Sequence, residues 1–199
     1  MDFIGEYSIE DLNVCDGLVD FFNASDCKYT GKTISGTTGK INHNPKKRSS
    51  LDLDLLAEWY LEYPAIKNYI KQLHKCIELY KTDYPACDVI VGYWRILEDP
   101  KIQYYKPGEA YFSTHCERVG HHTPICYRHL VFMTYLNDVT DGGGTEFIHQ
   151  KKITSAVKGK TVIWPADWTH IHRGVVSPTQ EKYILTGWLS FTPEKNREN

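Results

Sequence analysis

Apolar residues along this chain follow two periods, and the change falls near residue 87. Before it, helical spacing dominates. In "SIEDLNVCDGLVDFFN", Ile9, Leu12, Cys15, Leu18, Val19 and Phe22 recur at three- and four-residue intervals, which predicts an amphipathic helix. Ser8 is placed to cap it, with Asp11 three positions on. "LDLLAEWYLEYPAIKNYIKQLHKCIELYKTDYP" predicts a short and a long helix divided near Pro64, the long one carrying the stripe Ile66, Tyr69, Ile70, Leu73, Cys76, Ile77 and Tyr80. His74 lies at the edge of that stripe and reads as structural. Between the helical stretches, residues 28–50 are rich in Gly, Ser, Thr, Asn and Lys, predicting a long mobile loop that is either a lid or plain surface. Its cluster Lys46, Lys47 and Arg48 reads as a solvated basic patch.

After residue 87 the runs shorten and fill with Val, Ile, Tyr, Trp and Thr: "CDVIVGYWRIL", "KIQYYKPG", "YFSTHCE", "HLVFMTYLND", "GTEFIHQ", "KITSAV", "KTVIWPA" and "KYILTGWLSF". Runs of this length between turn residues predict antiparallel strands of a sandwich or barrel. "DVTDGGGTEF" supplies a glycine-rich connection. Helices first and strands later give an α+β, mainly β fold, with the helices packed on one sheet. No internal repeat and no second domain interrupts residues 1–199.

Composition narrows the function classes. The 199 residues are 41% hydrophobic and 24% charged, as in an ordinary globular domain. A formal net charge of −2 argues against a nucleic-acid binder. No apolar run approaches the ~18 residues of a membrane span. "MDFIGEYSIEDL" lacks the basic segment and apolar core of a signal peptide, so the expectation is a cytoplasmic protein. Its six cysteines, none in a C-x-x-C pair, are expected to be reduced, most of them as small core residues.

Candidate chemistry lies in the β half. "STHCER" sets His115 and Glu117 two positions apart, and "WTHIHRG" sets His170 and His172 two apart. Alternate residues of a strand share a face. Two imidazoles and a carboxylate on one face would leave adjacent coordination positions open, which suits Fe(II) in oxygenases. Either His170 or His172 could complete the set. Lys182 follows on the next predicted strand, and a buried lysine there needs an anion.

These stretches, with "YYKPGEAYFSTHCE", "RHLVFMTYLND", "DGGGTEF", "TVIWPADWTHIHRG" and "EKYILTGW", resemble the catalytic domain of prolyl 4-hydroxylase-like 2-oxoglutarate/Fe(II) dioxygenases, above all the small stand-alone members from bacteria and phages. The resemblance covers roughly residues 87–191, with residues 1–86 as helical support. It implies a double-stranded β-helix, that is, a cupin-like jelly roll. It also implies Fe(II), with 2-oxoglutarate and O2 as cosubstrates and ascorbate as a candidate reductant. In that family the distal histidine precedes the cosubstrate-binding cation by nine or ten residues, which selects His172 over His170 as metal ligand with His115 and Glu117. Lys182, Tyr135, Tyr105 and Thr145 then match positions around 2-oxoglutarate, while His170 and Trp188 would form pocket wall. The family usually carries Asp where this chain has Glu117.

The implied activity is hydroxylation of an unactivated C–H bond coupled to conversion of 2-oxoglutarate to succinate and carbon dioxide, most naturally on a peptidyl proline. Alternatives are a free amino acid or other small molecule as substrate, a non-catalytic jelly-roll module, favoured by the H-x-E departure, and a zinc hydrolase, which would leave Lys182 and Tyr135 without an anion. Oligomeric state is not legible.

Overall fold

The computed structural model describes residues 1–35 and 38–192. In chain order the elements are β1 (Gly5–Ser8), α1 (Asn13–Ala24), β2 (Tyr29–Thr30), β3 (Thr33–Ile34), β4 (Ile41–Asn42), β5 (Leu51–Asp54), α2 (Trp59–Glu62), α3 (Pro64–Asp83), α4 (Ala86–Val89), β6 (Trp94–Ile96), β7 (Lys101–Tyr105), β8 (Arg128–Tyr135), β9 (Thr145–Phe147), β10 (Lys152–Thr154), β11 (Lys160–Pro165), β12 (His172–Gly174) and β13 (Lys182–Phe191). Among the described residues no helix is long and apolar enough to cross a membrane.

The helices follow the apolar stripe. α3 begins at Pro64, which needs no intrahelical partner for its missing N–H in the first turn, and buries Ile66, Tyr69, Leu73, Cys76, Ile77 and Tyr80. α1 departs from its expected start. Ser8 does not cap it, because Ser8 ends β1, whose backbone pairs with β11 from Gly5↔Ile163 to Ser8↔Lys160. The helix starts only at Asn13, where the Asp11 side chain accepts from the Asn13 amide at 3.1 Å.

The larger sheet runs β1-β11-β8-β13-β7-β5-β2, with β6 on the far end of β13, and faces a three-stranded sheet β10-β9-β12. Every pairing is antiparallel. β8 shows how the period of two divides the core. Leu130 and Phe132 pack with the helices, against Leu18, Tyr69 and Leu73. Val131, Met133 and Tyr135 face inward, with Phe147, Trp164 and Ile184. Neighbours on β7 split likewise, Tyr104 toward the helices and Tyr105 inward.

Three expectations change. Residues 28–35 and 38–50 are built into the fold, holding β2 and the β3–β4 pair, with residues 36–37 of the expected loop lying outside the described residues, and Arg48 is buried rather than solvated. Its guanidinium donates to Ser50 Oγ at 3.0 Å and Lys32 O at 2.9 Å, and it forms an ion pair with buried Asp52. Second, "YFSTHCE" is not a strand. Its backbone forms isolated bridges, Arg48↔Tyr111 and His115↔His172, rather than a ladder. Third, only Cys15 and Cys76 are buried, while Cys87, Cys116 and Cys126 are half-buried and Cys27 is exposed, all six as free thiols.

Candidate metal centre and adjoining cavity

His172 opens β12 and His115 lies on the irregular segment beside it. Their backbones exchange hydrogen bonds at 3.0 and 2.9 Å, which sets the two imidazoles side by side, ring centroids 4.4 Å apart. The amide of Glu117 donates to Ala166 O at 3.0 Å, returning the chain so that its carboxylate meets both rings. One ligand atom from each of His115, Glu117 and His172 lies within 4.8 Å of the others. Glu117 Oε1 is 3.4 Å from His115 Nε2 and 3.5 Å from His172 Nε2.

The outer faces of the rings fix their tautomers. His115 Nδ1 is 2.9 Å from Ser113 O, and His172 Nδ1 is 2.9 Å from His170 O. A carbonyl oxygen only accepts, so each Nδ1 carries a hydrogen, and Nε2 is the atom that each ring turns toward Glu117 and can offer to a cation. Burial and the adjoining His172 push the His115 imidazole below its ordinary range. Burial alone would raise the Glu117 carboxyl, but the two imidazoles and the Arg128 guanidinium outweigh it and hold the group well below the usual carboxylate range. Two Nε2 atoms and a carboxylate oxygen aimed at one point fit a divalent cation, and two imidazoles with one carboxylate suit Fe(II).

A narrow cavity of about 50 Å3 leads inward from these three side chains, lined by Gln103, Tyr105, Met133, Thr145, Trp164 and Lys182 among others. Lys182 is 5% exposed and donates to Gly143 O at 2.9 Å. Among the described residues no carboxylate pairs with it, and burial pushes its ammonium down to about 8. Gly143 presents that carbonyl from a left-handed conformation, φ +71°, where a Cβ would collide with Val139. Trp164 Nε1, also buried, has no hydrogen-bond partner in the protein. A cation and an N–H donor, both desolvated along one cavity, fit a small anionic guest such as 2-oxoglutarate.

The other expected residues divide. Tyr105 lines the cavity, its hydroxyl donating to Gln103 Oε1 at 2.9 Å and its ring 4.8 Å from Lys182 Nζ. Thr145 lines it too. Tyr135 does not. Its hydroxyl is taken by Thr145 Oγ1 at 3.0 Å and Thr154 Oγ1 at 2.8 Å, threonines of the facing sheet, so it stands behind the wall. His170 is not pocket wall. It ends a 3-10 turn (Trp168–His170) ahead of β12, so alternation does not carry it to the face of His172. Its Nε2 instead donates to Asp2 O at 2.9 Å. Trp188 does reach the site, donating from Nε1 to Glu117 Oε2 at 3.0 Å.

Sequence reasoning missed Tyr111, Arg48 and Arg128. Tyr111 stacks on His115 with centroids 3.6 Å apart and planes 10° from parallel, and Arg48 covers the far face of the stack region, 5.3 Å from the Tyr111 centroid. Tyr111 stands within "YYKPGEAYFSTHCE" but the motif assigns it no role, and Arg48 lies outside every motif. Arg128 carried a signal, a charge at the head of the apolar run "RHLVFMTY", and it is buried against Glu98, Glu117 and Trp188. Outside the triad a wider groove of about 450 Å3 is lined by Lys32, Ile34, Arg48, Lys101, Arg128 and Trp188 among others.

Residues 100–190 match the family model of the 2OG-Fe(II) oxygenase superfamily. This segment is a 2OG-Fe(II) oxygenase domain. Fe(II), 2-oxoglutarate and O2 are therefore its cofactor and cosubstrates. No curated protein matches the chain by sequence. Among solved structures, the oxygenase is similar to the viral collagen prolyl hydroxylase vCPH from Paramecium Bursaria Chlorella virus-1, a 2OG complex, with TM-score 0.69 and 18% identity over 96% of this chain and 97% of that one. It is also similar to a Pseudomonas putida prolyl-4-hydroxylase, with TM-score 0.63 and 15% identity over 96% and 93%. A third is a Trichoplax adhaerens prolyl hydroxylase in complex with a hypoxia inducible factor peptide, with TM-score 0.69 and 13% identity over 96% and 84%. At these identities the shared property is the fold, the double-stranded β-helix that places the oxygenase's two sheets around the cavity.

Proposed function

We propose that this oxygenase hydroxylates a prolyl side chain of a peptide or protein, with His115, Glu117 and His172 as ligands of Fe(II) and Lys182 as partner of the distal carboxylate of 2-oxoglutarate. The observation that carries the reading is one continuous path. Two imidazole Nε2 atoms and a carboxylate oxygen converge at the cavity mouth, and the inner wall holds a buried lysine with no counter-anion among the described residues.

With iron bound, the centre supplies coupled oxidation, in which 2-oxoglutarate is decarboxylated and a C–H bond becomes C–OH. The chain supplies the rest. The carbonyls of Ser113 and His170 hold the imidazoles in the ligating tautomer. Lys182 gives the cosubstrate a charged anchor at the far end, so its other end is held toward the triad. Aromatic and aliphatic walls, Tyr105, Trp164 and Ile184, exclude bulk water from that path.

The wide outer groove favours a peptide over a free amino acid, because the triad opens onto a surface channel and not a closed chamber. The peptide complex of the Trichoplax neighbour supports the same reading. A zinc hydrolase would have no use for Lys182. The test is anaerobic assembly with Fe(II) and 2-oxoglutarate, then exposure to O2 with a library of proline-containing peptides. Succinate release together with a +16 Da peptide is the expected result. Succinate release with no peptide product, but with a hydroxylated free amino acid, would move the substrate to the small-molecule class. Tight 2-oxoglutarate binding without any succinate would leave a binding module.

A further inference from the structure

Glutamate at the carboxylate position poses a geometric problem. Its extra methylene adds a rotatable bond, so the carboxylate can swing, chelate through both oxygens or leave the site. The structure removes that freedom. Glu117 Oε2 accepts from Trp188 Nε1 at 3.0 Å and from Arg128 Nη1 at 3.3 Å, and the same Nη1 donates to the Glu117 backbone carbonyl at 3.1 Å. The other oxygen, Oε1, faces the two histidine Nε2 atoms.

Both donors are themselves fixed. Arg128 is held by Glu98 in a two-pronged pair, Nε to Oε1 at 2.8 Å and Nη2 to Oε2 at 2.6 Å. Its guanidinium lies 3.5 Å from the Trp188 ring centroid. Arg128 heads β8, and Trp188 sits on β13 opposite Val131, so two adjacent strands of the larger sheet carry the clamp. A planar fork locked at one end against a carboxylate and flat on an indole has little rotamer freedom left.

We infer that Trp188 and Arg128 are positioning residues that hold Oε2 of Glu117 away from the metal, so that Glu117 binds through Oε1 alone and the longer side chain serves where the family usually has aspartate. The inference rests on the proposed ligand set. One-oxygen binding matters because 2-oxoglutarate and O2 need the remaining positions, and a two-oxygen glutamate would take one of them.

The test is Fe(II) titration of the whole protein under anaerobic conditions, for the parent, Trp188→Phe, Glu117→Asp and the double variant. Loss of a partner that orients a metal ligand costs about 10- to 100-fold in metal affinity. Trp188→Phe is therefore expected to lose about tenfold or more in the parent background. In Glu117→Asp the shorter carboxylate does not reach the indole, so adding Trp188→Phe is expected to cost less than about threefold, a coupling that mere packing loss would not show. Equal losses in both backgrounds would overturn the clamp, including the case in which Trp188→Phe weakens binding by loosening the fold. Infrared difference spectra of the Fe(II)-loaded protein give a second readout. The asymmetric and symmetric carboxylate stretches should be widely split in the parent and draw together in Trp188→Phe, and an unchanged splitting would overturn the proposal. A parent that binds no Fe(II) would instead sink the ligand set itself.

Discussion

The ammonium of Lys182 and the carbonyl of Gly143 lie 2.9 Å apart at the inner end of the cavity, and that neutral oxygen is, among the described residues, the only hydrogen-bond acceptor of a buried cation. Burial lowers the Lys182 value to about 8, whereas a bound dicarboxylate would raise it again. Cosubstrate binding therefore takes up a proton above that point. Affinity for 2-oxoglutarate is expected to be flat below pH 8 and to fall by about tenfold per pH unit above it. Calorimetry from pH 6.5 to 9.5 checks this. Lys182→Met should lose about two to three orders of magnitude at pH 7, from the ~3–5 kcal/mol of a broken buried pair, and should erase the slope.

The same depressed value sets a stability trend for the protein without its cosubstrate. The unfolded chain holds the lysine proton up to its ordinary range, the folded one only to about 8. Between those values the unfolded state binds more protons, so stability should rise with pH across that interval. Urea midpoints at pH 7.5 and 9.5, compared with Lys182→Met, isolate the contribution. A Lys182→Met profile identical to the parent's would contradict the assignment.

His172 and His170 should part company experimentally. His172→Ala is expected to abolish stoichiometric iron. His170→Ala should keep iron and lose about 1–3 kcal/mol of stability, because the Asp2 carbonyl is left without its donor. Iron content with thermal melting decides it.

Tyr135 tests direct against indirect support of the cosubstrate. Its hydroxyl is shared with Thr145 and Thr154, so Tyr135→Phe should cost about 1 kcal/mol of stability and less than about tenfold in 2-oxoglutarate affinity. A loss equal to that of Lys182→Met would place the hydroxyl on the cosubstrate after all.

Arg48 ties residues 28–50 to the metal site. Arg48→Met strands Asp52, 1% exposed, and is expected to destabilise the fold by about 3–5 kcal/mol. Asp52→Asn with Arg48→Met should recover part of that loss, which denaturation of the single and double variants would measure.

What the sequence made legible were features with short-range signatures. The stripe on α3, the alternation in "RHLVFMTY" and the H-x-E spacing all follow from local geometry. The distance to Lys182 selects His172, and the structure turns its Nε2 toward Glu117. His170 failed as wall because a 3-10 turn breaks the alternation one residue before β12, which periodicity does not reveal. Arg48 reads as solvated because its partner Asp52 lies beyond the polar stretch, on β5, and the burial of an ion pair leaves no apolar trace at Arg48 itself. Tyr111 was illegible because its stacking on His115 depends on a loop path with no repeat.

Consider last how the N-terminal half borders the larger sheet. β1 covers the free side of β11, and β5 covers that of β7. A fragment of residues 87–191 would thus carry the whole proposed site yet expose two bare strand edges, each open to pairing with another copy. Such a fragment is expected not to fold apart from what precedes it. Under limited proteolysis or denaturant the two halves should be lost together, in a single cooperative transition, and any attempt to graft the site elsewhere must bring its borders along.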